Sequence, residues 1–90
     1  MKPNINDVWT RMIDLEGSDF ETKTGLPFTY KISGEVFYPS RTKQNISKSD
    51  FAKALQHVPI NGPGDISNMV RGSAYIWAVL HDHRIRENDW

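Results

Sequence analysis

The stretch Phe28-Thr29-Tyr30-Lys31-Ile32-Ser33-Gly34-Glu35-Val36-Phe37-Tyr38 alternates apolar and polar side chains, breaks at a glycine, and resumes with Val, Phe and Tyr. Alternation on both sides of a short Gly-bearing connection predicts a β-hairpin. With Ser33-Gly34 as a two-residue loop, residue 30 lies opposite 37 and residue 29 opposite 38. One face then carries Phe28, Tyr30, Ile32 and Phe37, and the other Thr29, Lys31, Val36 and Tyr38. Pro27 and Pro39 bracket the unit, which suits strand ends rather than interiors. A lone hairpin is marginal in water, so helices are expected to cover one face. The aromatic face is the one expected to be covered. Its rings could in principle stack bases, but three flanking helices need something to pack on.

Outward from the hairpin, both flanks read as helical. Ile5, Val8, Trp9, Met12 and Ile13 form one stripe of a 3.6-residue period, with Asn4 as N-cap and Gly17 as stop. Gly17–Leu26, rich in Gly, Ser, Asp and Thr, reads as a loop. On the other flank, Ser47 with Asp50 three residues later is a variant of the capping box. Ile46 and Phe51 add a hydrophobic staple, and Pro59 ends a helix expected over roughly 48–57. After the linker Pro59–Gly64, Asp65 can cap another helix through Ile66, Met69 and Val70, broken or kinked at Gly72-Ser73. Ala74 to Leu80 is apolar on most sides and reads as the central helix. Residues 84–90 read as a charged tail that frays. The expected class is α+β, a single domain over 1–90 in the order α-β-β-α-α, with two or three packed helices after the hairpin.

Ninety residues with 38% hydrophobic and 24% charged side chains describe a folded globular chain. A domain of this size buries only about 60% of its unfolded surface. Without a cysteine it has no disulfide framework or Cys-based zinc finger to reinforce it. The longest apolar run falls far short of the ~20 residues of a membrane span, and Met1-Lys2-Pro3-Asn4 has no apolar leader. A cytoplasmic protein without a membrane association is expected.

Eleven Lys and Arg balance eleven Asp and Glu, yet the charges are unevenly placed. Residues 1–22 hold Lys2 and Arg11 against Asp7, Asp14, Glu16, Asp19 and Glu21, a net of −3. Residues 23–53 hold Lys23, Lys31, Arg41, Lys43, Lys48 and Lys53 against Glu35 and Asp50, a net of +4. Residues 54–90 net −1. Either the acidic and basic segments face each other inside the fold, or the basic one meets a charged partner.

The run Pro39-Ser40-Arg41-Thr42-Lys43-Gln44-Asn45, continuing to Lys48, carries the most suggestive chemistry. Arg and Lys neutralise phosphate, Gln or Asn can read adenine, and the run leads into a helix N-terminus. A polar loop also needs no reason beyond the water around it. Together with the exposed hairpin face, the candidate nucleic-acid contacts are Lys31, Tyr38, Ser40, Arg41, Thr42, Lys43, Gln44 and Lys48.

Two other clusters point less far. Asn61-Gly62-Pro63-Gly64 lacks the Lys-Ser/Thr pair of a phosphate loop, and Asp65 would repel an anion. His81 and His83 are two apart, so a helix aims them in different directions. No cofactor or metal is expected, no triad is ordered, and the chain is read as non-catalytic. The leading expectation is a small nucleic-acid-binding module. The alternative is a protein–protein adaptor or a small phage-type inhibitor, favoured by neutral net charge and oppositely charged segments.

Overall fold

In a computed structural model, residues 4–87 together with 89 and 90 are described. The leader reading of Met1–Pro3 and the tail position Asn88 lie outside them.

The first helix, α1 (Ile5–Asp14), starts where the capping pattern places it: the Asn4 side chain accepts from Asp7 N at 2.9 Å. Val8, Trp9 and Met12 are buried, but Ile13 is 48% exposed. The apolar stripe is therefore narrower than its sequence spacing implies, and Ile13 lies at its solvent edge. At the far end Gly17 takes φ +85°, a conformation that favours glycine.

The next segment departs from its loop reading. Phe20–Glu21 forms a short strand, β1, antiparallel to β2 (Pro27–Phe28), with Phe20 opposite Phe28. Two residues carry no periodicity, and only the burial of Phe20 reveals why the chain turns inward there.

The hairpin is β3 (Tyr30–Ser33) and β4 (Val36–Pro39), joined by Gly34-Glu35 rather than Ser33-Gly34. Gly34 has φ +60° at the first loop position, as a type II′ turn requires. The observed partners are Tyr30↔Pro39, Lys31↔Tyr38, Ile32↔Phe37 and Ser33↔Val36. Moving the turn by one residue shifts the pairing by two, so each side chain keeps its expected face. Phe28, Tyr30 and Phe37 are buried, and Lys31 and Tyr38 are exposed. A third strand, β5 (Ile46–Ser47), pairs with β4, placing Ile46 beside Phe37 and Ser47 beside Val36.

Ser47 then caps α2 (Lys48–Leu55), its hydroxyl accepting from Asp50 N at 3.2 Å. Ile46 and Phe51, the two residues of the staple, are both fully buried. The helix expected to start at Asp65 does not form. Pro63–Asp65 makes a single 3-10 turn, and the Asp65 carboxylate accepts from Asn61 N instead of capping a helix. Ser67 also bonds backward to Gly64 O, a local alternative that competes with helix. Ile66 and Val70 are nonetheless buried, while Met69 is exposed.

The central helix α3 (Ser73–His81) buries Ile76, Trp77, Ala78, Val79 and Leu80. Its entry is Gly72, at φ +70°, and a Cβ there would lie 2.4 Å from Ile46 Cδ1. The short α4 (His83–Arg86) follows, started by Asp82, which accepts from Arg84 N at 2.9 Å.

The segment expected to fray is tied down at several points. Ile85 is fully buried, and Arg11 donates to its carbonyl at 2.8 Å. Arg11 also pairs with Glu87 at 3.2 Å and Asp89 at 2.5 Å. The Trp90 indole donates to Leu80 O at 2.9 Å. Ile85 supplies an apolar anchor that a scan of charges overlooks.

One cluster of rings joins these elements. Tyr30 and Phe37 stack at 4.7 Å, and Phe37 meets Phe51 at 5.0 Å. Burial pushes the Tyr30 hydroxyl well above the ordinary tyrosine value, so it stays protonated and donates to Met12 O at 2.5 Å.

Two stability outcomes follow. Gly72→Ala should lose about 2–4 kcal/mol in urea denaturation, because it combines a left-handed backbone with a clash on a buried side chain. Gly64→Ala, with open space around it, should change stability by no more than about 0.5 kcal/mol. Separately, Asp82 accepts from both Arg84 Nε and Nη2 at 2.9 Å. Partial burial alone would raise the Asp82 carboxyl, but the Arg84 hydrogen bonds and charge outweigh it and hold it below its usual value. A depressed folded value stabilises above about pH 4, and the contribution fades as pH falls through that value. Asp82→Asn should flatten this acid limb and cost about 1 kcal/mol or less at neutral pH, since water reaches the pair.

Candidate nucleic-acid interface

Strand alternation sorts the candidate residues before any of them is considered as a ligand contact. On β3 and β4, the cross-strand pairs Tyr30–Pro39 and Ile32–Phe37 turn to the core. Lys31, Ser33, Val36 and Tyr38 turn the other way, and Ser47 extends that face onto β5. Lys31 and Tyr38 are directly opposite each other and both exposed, so they form the centre of an uncovered sheet face.

The loop after β4 continues this surface but spends part of its polarity internally. Ser40 donates its N–H to Thr29 O at 2.9 Å and accepts from Thr29 N on its hydroxyl at 3.0 Å, prolonging the hairpin. Arg41 is exposed and donates to Pro27 O at 3.3 Å, which leans it along β2. Thr42 accepts from Gln44 N at 3.2 Å, making a local turn. Gln44 is half-buried, its Oε1 lying near the open side of Gly72. Lys43 is exposed and makes no ion pair among the described residues.

Lys48 goes elsewhere. Its ammonium donates to Asn6 Oδ1 at 2.9 Å and sits 5.9 Å from the centre of the Trp9 ring. It joins α2 to α1 instead of reaching the outer sheet face. The eight candidates thus divide: Lys31, Tyr38, Arg41 and Lys43 present free surface, Ser40, Thr42 and Gln44 shape the loop, and Lys48 braces the helices.

The charge distribution answers the question left by the sequence. Among the described residues, the ion pairs are Arg11 with Glu87 and Asp89, and Arg84 with Asp82. None joins the acidic first segment to the basic middle. Glu16, for example, accepts from Ile32 N at 2.7 Å, capping the outer edge of β3 rather than pairing with a lysine. The middle cations are left to solvent or to neutral partners.

A groove beside β1 has no counterpart in the sequence pattern. An open groove of about 620 Å³ runs between β1 and α3, with Glu21, Lys23, Pro27, Trp77 and His81 among its walls. The His81 ring stacks on Trp77 at 4.6 Å, and the Lys23 ammonium lies 6.0 Å from the same indole. Asp82 at its rim is held by Arg84, whose Nη2 also donates to Asp19 O at 2.8 Å. Its wall depends on β1, which has no sequence signature; the pairing of Phe20 with Phe28 is the nearest thing to one.

No family model, curated protein or solved structure matches this chain.

Proposed function

We propose that this domain is a small non-catalytic module that binds nucleic acid through the outer face of β3 and β4 and the adjoining loop. The observation that carries the reading is the unpaired state of the basic middle segment. Among the described residues, Lys31, Arg41 and Lys43 have no carboxylate within ion-pair distance, although the chain contains as many acidic as basic residues. Unpaired exposed cations beside an exposed tyrosine suit phosphate neutralisation with contact to a base or sugar. Ser40, Thr42 and Gln44 set the loop that carries Arg41 and Lys43. A cytoplasmic location goes with this reading; among the described residues, no helix is long and apolar enough to cross a membrane.

Neutral net charge limits the long-range field, so the affinity rests on a few local contacts. With about three phosphates engaged, raising salt from about 50 to 200 mM should weaken binding roughly 20- to 40-fold. The measurement is fluorescence anisotropy of labelled DNA and RNA, each single- and double-stranded. The triple variant Lys31→Ala, Arg41→Ala, Lys43→Ala should lose most of the salt slope, whereas Lys48→Ala should leave it nearly unchanged. Absence of binding at low salt would overturn the reading. A protein adaptor or small inhibitor is the second reading, favoured by the open groove beside β1, and affinity capture would then be aimed at that groove.

A further inference from the structure

We infer that the ligand of the outer sheet face is an unpaired stretch of nucleic acid, with one base stacked on Tyr38. This rests on the nucleic-acid reading and narrows it.

The chain has three Trp, three Tyr and four Phe. Trp9, Phe20, Phe28, Tyr30, Phe37, Phe51, Tyr75 and Trp77 each meet another ring. Trp90 is fixed by its indole hydrogen bond. Among the described residues, Tyr38 is the one aromatic whose side chain has neither a ring partner nor a hydrogen bond, and it is 40% exposed. Its cross-strand neighbour is Lys31, an exposed cation without an ion pair. Directly opposed residues on an antiparallel pair lie about 5 Å apart at Cβ, so the ring and the lysine stem share one patch. A π-face beside a phosphate-seeking cation complements a nucleotide, and Arg41 and Lys43 continue the positive charge after β4.

Two features select an unpaired strand over a duplex. Bases inside a duplex are covered on both faces by their neighbours, so only a splayed base can stack on a side chain. The hairpin is also not a free two-stranded ribbon of the kind a major groove admits. One of its edges is engaged by the turn after α1, through Gly17 N to Tyr30 O at 3.1 Å and Ile32 N to Glu16 at 2.7 Å. The other edge is paired with β5. What remains accessible is the outer face, with Lys31, Ser33 and Tyr38 exposed on it, along which a strand can lie.

The test uses the full chain with labelled single-stranded DNA and RNA oligonucleotides and a hairpin duplex, at about 50 mM salt. Single strands should bind at least tenfold more tightly than duplex. Tyr38→Ala should weaken single-strand binding by about 5- to 150-fold, and Tyr38→Phe should retain it, because the ring does the stacking. The site is on the surface, so unchanged thermal unfolding of both variants separates loss of binding from loss of fold. Equal affinity for duplex, or wild-type affinity in Tyr38→Ala, overturns the inference and leaves the basic-surface reading standing. No binding of any form overturns both, and leaves a protein as the partner of this face.

Discussion

Phe37 holds this fold together. It lies on β4, the middle strand of the three-stranded sheet, with no exposed surface, stacked on Tyr30 and packed against Phe51. From Phe51 the ring contacts run to Trp9 on α1, and from Tyr30 through Phe20 and Phe28 to Tyr75 on α3. Each such pair adds about 0.5–1.5 kcal/mol beyond simple burial. In a chain too short for a large core and free of disulfides, that continuity binds sheet and helices into one cluster. It has a functional consequence as well. Because strand residues alternate, committing Phe37 and Tyr30 to the core commits Tyr38 and Lys31 to the opposite face.

Much of this was legible in the residues themselves, and the limits have physical causes. Face assignment survived a wrong turn position, since relocating the loop from Ser33-Gly34 to Gly34-Glu35 preserves parity. The caps at Asn4 and Ser47 work as their side chains dictate, because a cap is a contact over three residues and needs no tertiary context. What failed was whatever depended on distant partners. Phe20–Glu21 is a strand only because Phe28 lies opposite it. Asp65 prefers Asn61 N to a helix end, and Ile85 and Arg11 meet across almost the whole chain. The candidate list suffered in the same way: polarity marked eight residues, but only the fold separates the free cations from Lys48, whose ammonium belongs to Trp9 and Asn6.

The electrostatics follow from the same geometry. Arginine, with its planar fork, takes the ion pairs of the described residues: Arg11 ties α1 to the residues after α4, and Arg84 holds Asp82 between α3 and α4. Acidic Glu16 is drawn to a backbone N–H at the sheet edge, where it also blocks pairing with another strand. The basic middle is therefore not neutralised by its complement in sequence. Zero net charge therefore does not require the two segments to pair: among the described residues no ion pair joins them.

The central claim is that the outer face of β3 and β4, with the loop after it, is the binding surface. Backbone amide chemical shifts, followed while a short single-stranded oligonucleotide is added to the isotope-labelled protein, test it residue by residue. Perturbations should centre on Lys31, Tyr38, Arg41 and Lys43, with the groove residues Glu21, Trp77 and His81 unmoved. Perturbations centred on that groove, or a spectrum that does not change, would contradict it.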